Sequence, residues 1–101
     1  MADEEYAVKV PKDLEDLVPM FMSNRRKEIE SLRAALAGSN FEEMRQIGHR
    51  MKGSGRSYGF AAISEIGKRI EEGARGSDGA AIAACLEEYG EYLDKVVISY
   101  E

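Results

Sequence analysis

The sequence predicts an all-α protein, an antiparallel up-down bundle of four helices with a short additional helix near the N-terminus. Three observations support this prediction. Apolar residues recur at helical spacing along almost the whole chain of 101 residues. No stretch shows the alternation of a half-buried strand. Helix caps and glycines separate the periodic stretches by only a few positions, which favours antiparallel neighbours.

The first helices follow two prolines. Pro11 suits the first turn of a short helix, and Pro19 breaks that helix or restarts it. A longer helix is predicted from about Met20 to Ala37, because its apolar residues recur on one side. Residues 1–10 form an N-terminal extension that we expect to be loosely ordered, and residues 1–101 together form one domain.

Polar caps and glycines mark the remaining helices. Asn40, followed by a glutamate three residues later, caps a helix from about Phe41 to Arg56. The next helix starts near residue 59 or 60. The Gly-Ser-Asp stretch at 76–78 then ends it and caps a last helix, whose apolar residues continue at helical spacing to Tyr100.

Composition and charge exclude several classes of function. The 14 basic and 19 acidic residues leave a net charge of −5, which argues against nucleic-acid binding. The single cysteine, Cys85, and the single histidine, His49, exclude an internal disulfide and the usual metal clusters. No apolar run approaches the ~20 residues of a membrane span. We therefore expect a cytoplasmic monomer with no metal, membrane or nucleic-acid site.

The helix predicted from Phe41 to Arg56 has one face that differs from an ordinary solvated face. His49 lies opposite the apolar stripe, and the basic residues Arg45, Lys52 and Arg56 share its side. Three glycines interrupt this helix, although each costs roughly 0.5–1 kcal/mol relative to alanine. Two of them, Gly48 and Gly55, face inward and can serve helix packing. The third, Gly53, leaves the surface beside the imidazole bare, which favours close approach of a partner. A solvated helix face that happens to carry charge is the plainer alternative.

The string from His49 to Phe60, HRMKGSGRSYGF, resembles the signature of histidine-containing phosphotransfer (Hpt) domains. That signature is a histidine, a basic residue at +3, a glycine at +4, small residues next and another glycine near +10. The resemblance extends over nearly the whole chain, because the family's fold is a helical bundle. It implies that His49 is phosphorylated and exchanges the phosphoryl group with an aspartate of a response-regulator receiver domain. A sensor histidine kinase of the hybrid or chemotaxis type is a further partner that the family suggests.

The resemblance also implies roles for residues around His49. Glu71, at +22, would hydrogen-bond the second ring nitrogen and so direct Nε2 outward. As a merely solvated glutamate, Glu71 would instead pair with Lys68 or Arg75. Lys52, Arg56 and Arg75 would position the phosphoryl group, and Gly53, Arg45 and Gln46 would contact the docked partner. Arg56 departs from the family pattern, because that position is more often occupied by a small residue.

The chain carries no Walker A string, kinase catalytic loop or ATP-lid motif, so its phosphoryl group must come from a partner. The resemblance implies no cofactor on this domain and Mg²⁺ on the receiver. An alternative function remains, a docking bundle that binds receiver or kinase domains without being phosphorylated. Acid-labile phosphate on His49 would distinguish the two functions.

Overall fold

A computed structural model, which describes residues 6–101, shows a mostly helical chain and confirms the all-α class. The four α-helices are α1 (Val18–Ala37), α2 (Phe41–Tyr58), α3 (Ala61–Arg75) and α4 (Gly79–Lys95). A 3₁₀ helix, Lys12–Leu17, precedes α1, and two short strands, β1 (Ala7–Val10) and β2 (Val97–Tyr100), flank the helices. The helices contact one another in the cyclic order α1–α2–α3–α4–α1, and the apolar core lies between them. Within residues 6–101, no helix combines the length and apolarity that crossing a membrane requires.

The strands correct two sequence predictions. β1 pairs with β2 in parallel, with Ala7 opposite Val97 and Val10 opposite Tyr100. Residues 7–10 are therefore ordered, contrary to the loosely ordered extension that was expected, and residues 1–5 lie outside the described part. The last helix ends at Lys95 rather than continuing to Tyr100.

The physical reason for this error lies in the residues after α4. The stretch Val-Val-Ile-Ser-Tyr at 96–100 is β-branched and aromatic, and such side chains fit a pleated, half-buried strand. Its apolar residues also fit helical spacing, so periodicity over five residues cannot separate the two structures. The pairing with β1 shows that this stretch is a strand and not a continuation of the helix.

The helix ends follow the predicted chemistry. The Asn40 side chain accepts a hydrogen bond from the backbone N–H of Glu43 at 3.1 Å, and so caps α2. Asp78 caps α4 in the same way. Gly59 was expected near the start of the next helix but instead ends α2, which runs to Tyr58 rather than Arg56, with a φ of +86° that glycine adopts without strain. The next helix, α3, begins at Ala61. Pro19 is already inside the first turn of α1, so that helix begins two residues earlier than predicted.

Glycines bring α2 and α3 unusually close together. A Cβ atom added at Gly48 would lie 2.7 Å from the carbonyl oxygen of Gly67 and 2.8 Å from the backbone nitrogen of Glu71. One added at Gly55 would lie 2.7 Å from the backbone nitrogen of Ser64. The predicted packing role of Gly48 and Gly55 is confirmed, and the contact places Glu71 directly beside the turn of α2 that holds His49.

Candidate functional site

The core face of α2 determines which side chains face outward. Its buried residues, all at helical spacing, are Met44, Ile47, Gly48, Met51 and Gly55. His49 follows Gly48 and points away from this stripe, so its side chain is 65% exposed. The predicted position of the imidazole at the surface is confirmed.

Glu71 of α3 lies beneath the imidazole. Its carboxylate oxygen Oε2 is 3.0 Å from Nδ1 of His49, although only 2% of the Glu71 side chain is exposed. A hydrogen bond from Lys52 is the largest cause that lowers the pKa of Glu71, and a further bond from His49 and the charge of Arg75 lower it too. These effects outweigh burial, which by itself would raise that pKa. Glu71 is therefore ionised at neutral pH.

The ionised carboxylate determines the tautomer of the ring. A carboxylate can only accept hydrogen bonds, so Nδ1 of His49 must be the donor in this contact. A neutral imidazole carries one proton, which leaves Nε2 with a free lone pair on the exposed side of the ring. This arrangement suits a nucleophilic nitrogen.

Two cations share the same carboxylate. Lys52 Nζ lies 2.9 Å from Glu71 Oε1, and an Arg75 guanidinium nitrogen lies 3.2 Å from Oε2. With one negative and two positive side chains around a neutral imidazole, the cluster has a surplus of one positive charge. The structure thus brings together four of the predicted residues, His49, Lys52, Glu71 and Arg75.

The sequence leaves two alternatives open for Glu71, a hydrogen bond to His49 or an ion pair with Lys68 or Arg75. The structure combines them. Glu71 contacts both His49 and Arg75, whereas Lys68 forms no ion pair with it among residues 6–101. The ion pair between Lys52 and Glu71 was not foreseen. The sequence does contain a hint of this ion pair, because Lys52 follows His49 by three residues and lies on the same face of α2. A group that lies under the imidazole is therefore also within reach of the Lys52 side chain.

Four predicted residues lie outside this cluster. Arg45 donates to Glu42 through two nitrogens, at 2.6 and 3.1 Å, and these bonds lower the pKa of Glu42 to about 2. Gln46 donates to the same carboxylate at 3.3 Å. Arg56 makes no side-chain hydrogen bond or ion pair within the described residues and lines a groove further along α2. Gly53 is exposed, and a Cβ atom added there would meet nothing within 4 Å.

Neighbouring helices brace α2 on both sides of the site. On the α1 side, the largely buried Arg25 stacks on Phe21 and donates to the Ser54 hydroxyl at 3.1 Å. On the α3 side, the Ser64 hydroxyl donates to the backbone carbonyl of Lys52 at 2.6 Å. Both braces were missed, because their partners are distant in sequence and no local pattern indicates them.

The described part of the chain holds no cluster of three or more histidine, cysteine or acidic side chains arranged to bind a metal. The groups that the site brings together are an imidazole, a carboxylate and two cations.

Comparison with known proteins identifies a family. Residues 16–97, most of the chain, match the family model described as the Hpt domain. The matched range includes His49, Lys52, Glu71 and Arg75. No curated protein and no solved structure gives a significant match.

Proposed function

The chain belongs to the Hpt domain family, whose role is phosphotransfer in two-component signalling, and we propose that His49 is the residue that carries the phosphoryl group. The observation that supports this assignment is the exposed imidazole whose Nδ1 atom is held at 3.0 Å by the buried carboxylate of Glu71. We also propose that the four helices run alternately up and down, as the sequence predicts.

The transfer step follows from the tautomer. The Nε2 lone pair of His49 attacks the phosphorus of an aspartyl phosphate on a receiver domain. The new bond is N–P, the P–O bond to the aspartate breaks, and the aspartate leaves as a carboxylate. Nδ1 keeps its proton, and the positive charge that develops on the ring lies against the Glu71 carboxylate. The reverse step, in which a receiver carboxylate attacks the phosphorus and Nε2 leaves, passes the group onward.

Lys52 and Arg75 supply positive charge for the phosphoryl group. Phosphoryl transfer depends mainly on positioning and charge neutralisation, and the group carries about −1.5 to −2 charges at neutral pH. Both side chains are partly exposed, 35% for Lys52 and 62% for Arg75, so they can turn from Glu71 toward an oxygen on Nε2. Arg56, to which the resemblance gives the same role, lies two turns further along α2.

The open surface at Gly53 is where the receiver approaches the ring. Gly53 lies one helical turn after His49 on the same side of α2, where the absence of a side chain leaves room for the loops that surround the partner's aspartate. Arg45 and Gln46 lie one turn before His49 and are expected at the edge of that contact. The receiver brings the Mg²⁺ ion, and this domain supplies the nitrogen and the cations.

The experiment mixes the purified chain and its His49→Gln variant with a panel of phosphorylated receiver domains. We expect the wild type alone to gain one acid-labile phosphoryl group, read by intact mass. The variant should stay folded, because an exposed side chain contributes little to stability. Receiver binding without any acid-labile gain would favour the non-phosphorylated docking bundle. Unfolding of the variant would contradict the exposed placement of His49.

A further inference from the structure

A groove lies between α2 and α3, from Lys52 toward the C-terminal end of α2. Three basic residues line it, Lys52 and Arg56 from α2 and Lys68 from α3, together with one acidic residue, Glu65. Small residues, including Gly59 and Ser64, form the rest of its lining. Lys52 belongs to both the groove and the Glu71 cluster, so the groove is continuous with the phosphotransfer site.

The three basic residues of the groove differ in whether they have an ion-pair partner. Lys52 is paired with Glu71 at 2.9 Å, whereas Arg56 and Lys68 form no ion pair within residues 6–101. Lys68 has acidic residues three positions before and four positions after it on α3, the spacing at which helical ion pairs form. It pairs with neither. Among residues 6–101, the groove therefore presents two cations that have no ion-pair partner, beside the single acidic lining residue Glu65.

The position of Arg56 separates it from the phosphoryl group. Arg56 is seven residues after His49, which corresponds to about 10 Å along a helix axis. A partner that places its reactive aspartate over His49 would place atoms of its own surface over Arg56 and Lys68. Those atoms meet a positive groove with a small-residue lining, so the side chain that fits there is a carboxylate.

We propose that Arg56 and Lys68 form a recognition site for an acidic side chain of the receiver domain, and so select which receivers dock on His49. This inference rests on the proposed phosphotransfer function. Charged groups at the rim of an interface act mainly on the association rate and on its dependence on salt. Arg56 and Lys68 should accordingly set partner choice rather than the reactivity of the imidazole.

The test separates docking from phosphorylation. The wild type, Lys68→Glu, Arg56→Glu and a control, Lys27→Glu, are first phosphorylated with phosphoramidate, a small donor that requires no docking. The control reverses an exposed cation on α1, so it changes the net charge by the same amount as each groove variant. Transfer from the preloaded chains is then measured to a receiver that accepts phosphate from the wild type, at low and at high salt.

We expect Lys68→Glu to load like the wild type and to transfer roughly 10-fold more slowly at low salt, with the difference shrinking as salt rises. Arg56→Glu should show the same loss of transfer, and Lys27→Glu should not. Equal slowing by the control would show that overall charge matters and would overturn the inference. Unchanged transfer by both groove variants would overturn it as well.

Two other results have distinct meanings. If Arg56→Glu also slows loading by phosphoramidate, Arg56 acts on the phosphoryl group and its part in partner recognition fails. If the wild type neither loads nor transfers, the proposed function itself fails and the inference fails with it.

Discussion

Glu71 is the residue on which the chemistry of the site depends. It is almost completely buried, yet it is ionised because Lys52, His49 and Arg75 all contact its carboxylate. One side chain therefore contacts Nδ1 of the imidazole and holds two cations against the same carboxylate. A neutral group at this position could accept one hydrogen bond from Nδ1 but could not hold both cations.

The lowered pKa of Glu71 predicts how stability depends on pH. A carboxylate whose pKa is lower in the folded state than its usual 4.5 stabilises the fold above that pH. The contribution is lost as the pH falls through the folded-state pKa. We expect Glu71→Gln to be less stable than the wild type at pH 7, with the difference shrinking toward pH 3.

Urea unfolding at both pH values measures this difference. The matched control is Glu72→Gln, which changes the exposed neighbour on α3 and should follow the wild type. An equal loss of stability in wild type and Glu71→Gln on acidification would show that the buried carboxylate is not the titrating group.

At the scale of elements, the contact between α2 and α3 determines whether Glu71 reaches His49. The two backbones approach so closely at Gly48 and Gly67 that neither position has room for a Cβ atom. Glu71 lies one helical turn after Gly67, so this contact sets the distance from its carboxylate to the imidazole. We therefore expect these glycines to position the carboxylate as well as to allow the helices to pack.

We expect Gly67→Ala to destabilise the fold by about 1–3 kcal/mol, because overpacking at a backbone contact forces the helices apart. A Cβ at Gly67 would lie 2.7 Å from the carbonyl oxygen of Gly48 and 2.8 Å from the backbone nitrogen of Lys52. The control is Gly90→Ala on α4, where a Cβ would meet nothing within 4 Å. That change should stabilise the fold by roughly 0.5–1 kcal/mol through helix propensity.

Chemical unfolding of both variants gives the two free energies. A positioning role further requires that folded Gly67→Ala shift the ring nitrogen resonances of His49, whereas Gly90→Ala should leave them in place. A Gly67→Ala variant as stable as Gly90→Ala would contradict the close approach of the helices.

At the scale of the whole molecule, the strands join the two ends of the described chain. β1 packs its buried Val10 into the core, and its Lys9 carbonyl passes Gly59 at the end of α2. The backbone N–H of Glu101 donates to the Val10 carbonyl at 3.1 Å and the N–H of Lys12 donates to Glu101 at 3.0 Å. The strand pair therefore lies beside the C-terminal end of α2.

We expect Val10→Ala to lower the free energy of unfolding by about 2 kcal/mol, since a fully buried valine loses two methyl groups and leaves a cavity. Phosphorylation of His49 by phosphoramidate should be unchanged in the folded variant, because no side-chain hydrogen bond or ion pair among residues 6–101 joins the strands to the cluster. Thermal unfolding and loading rates measure the two effects. The control is Ala7→Ser, which changes an exposed residue of the same strand and should leave the stability unchanged. If Val10→Ala were also as stable as the wild type, β1 would not contribute to the core.

Local patterns in the sequence determined the four helices, their caps and the outward position of His49. Spacing within α2, the cap at Asn40 and the string from His49 to Phe60 are properties of neighbouring residues, and they also indicated the Hpt family. Three features depended on the tertiary structure: the ion pair between Lys52 and Glu71, the braces from Arg25 and Ser64, and the parallel pairing of residues 7–10 with 97–100. Each joins residues far apart along the chain, so no periodicity or local propensity can specify it. Only the packing of α2 against α3 and α1, and the meeting of the two strands, decides which of these side chains and backbones come into contact.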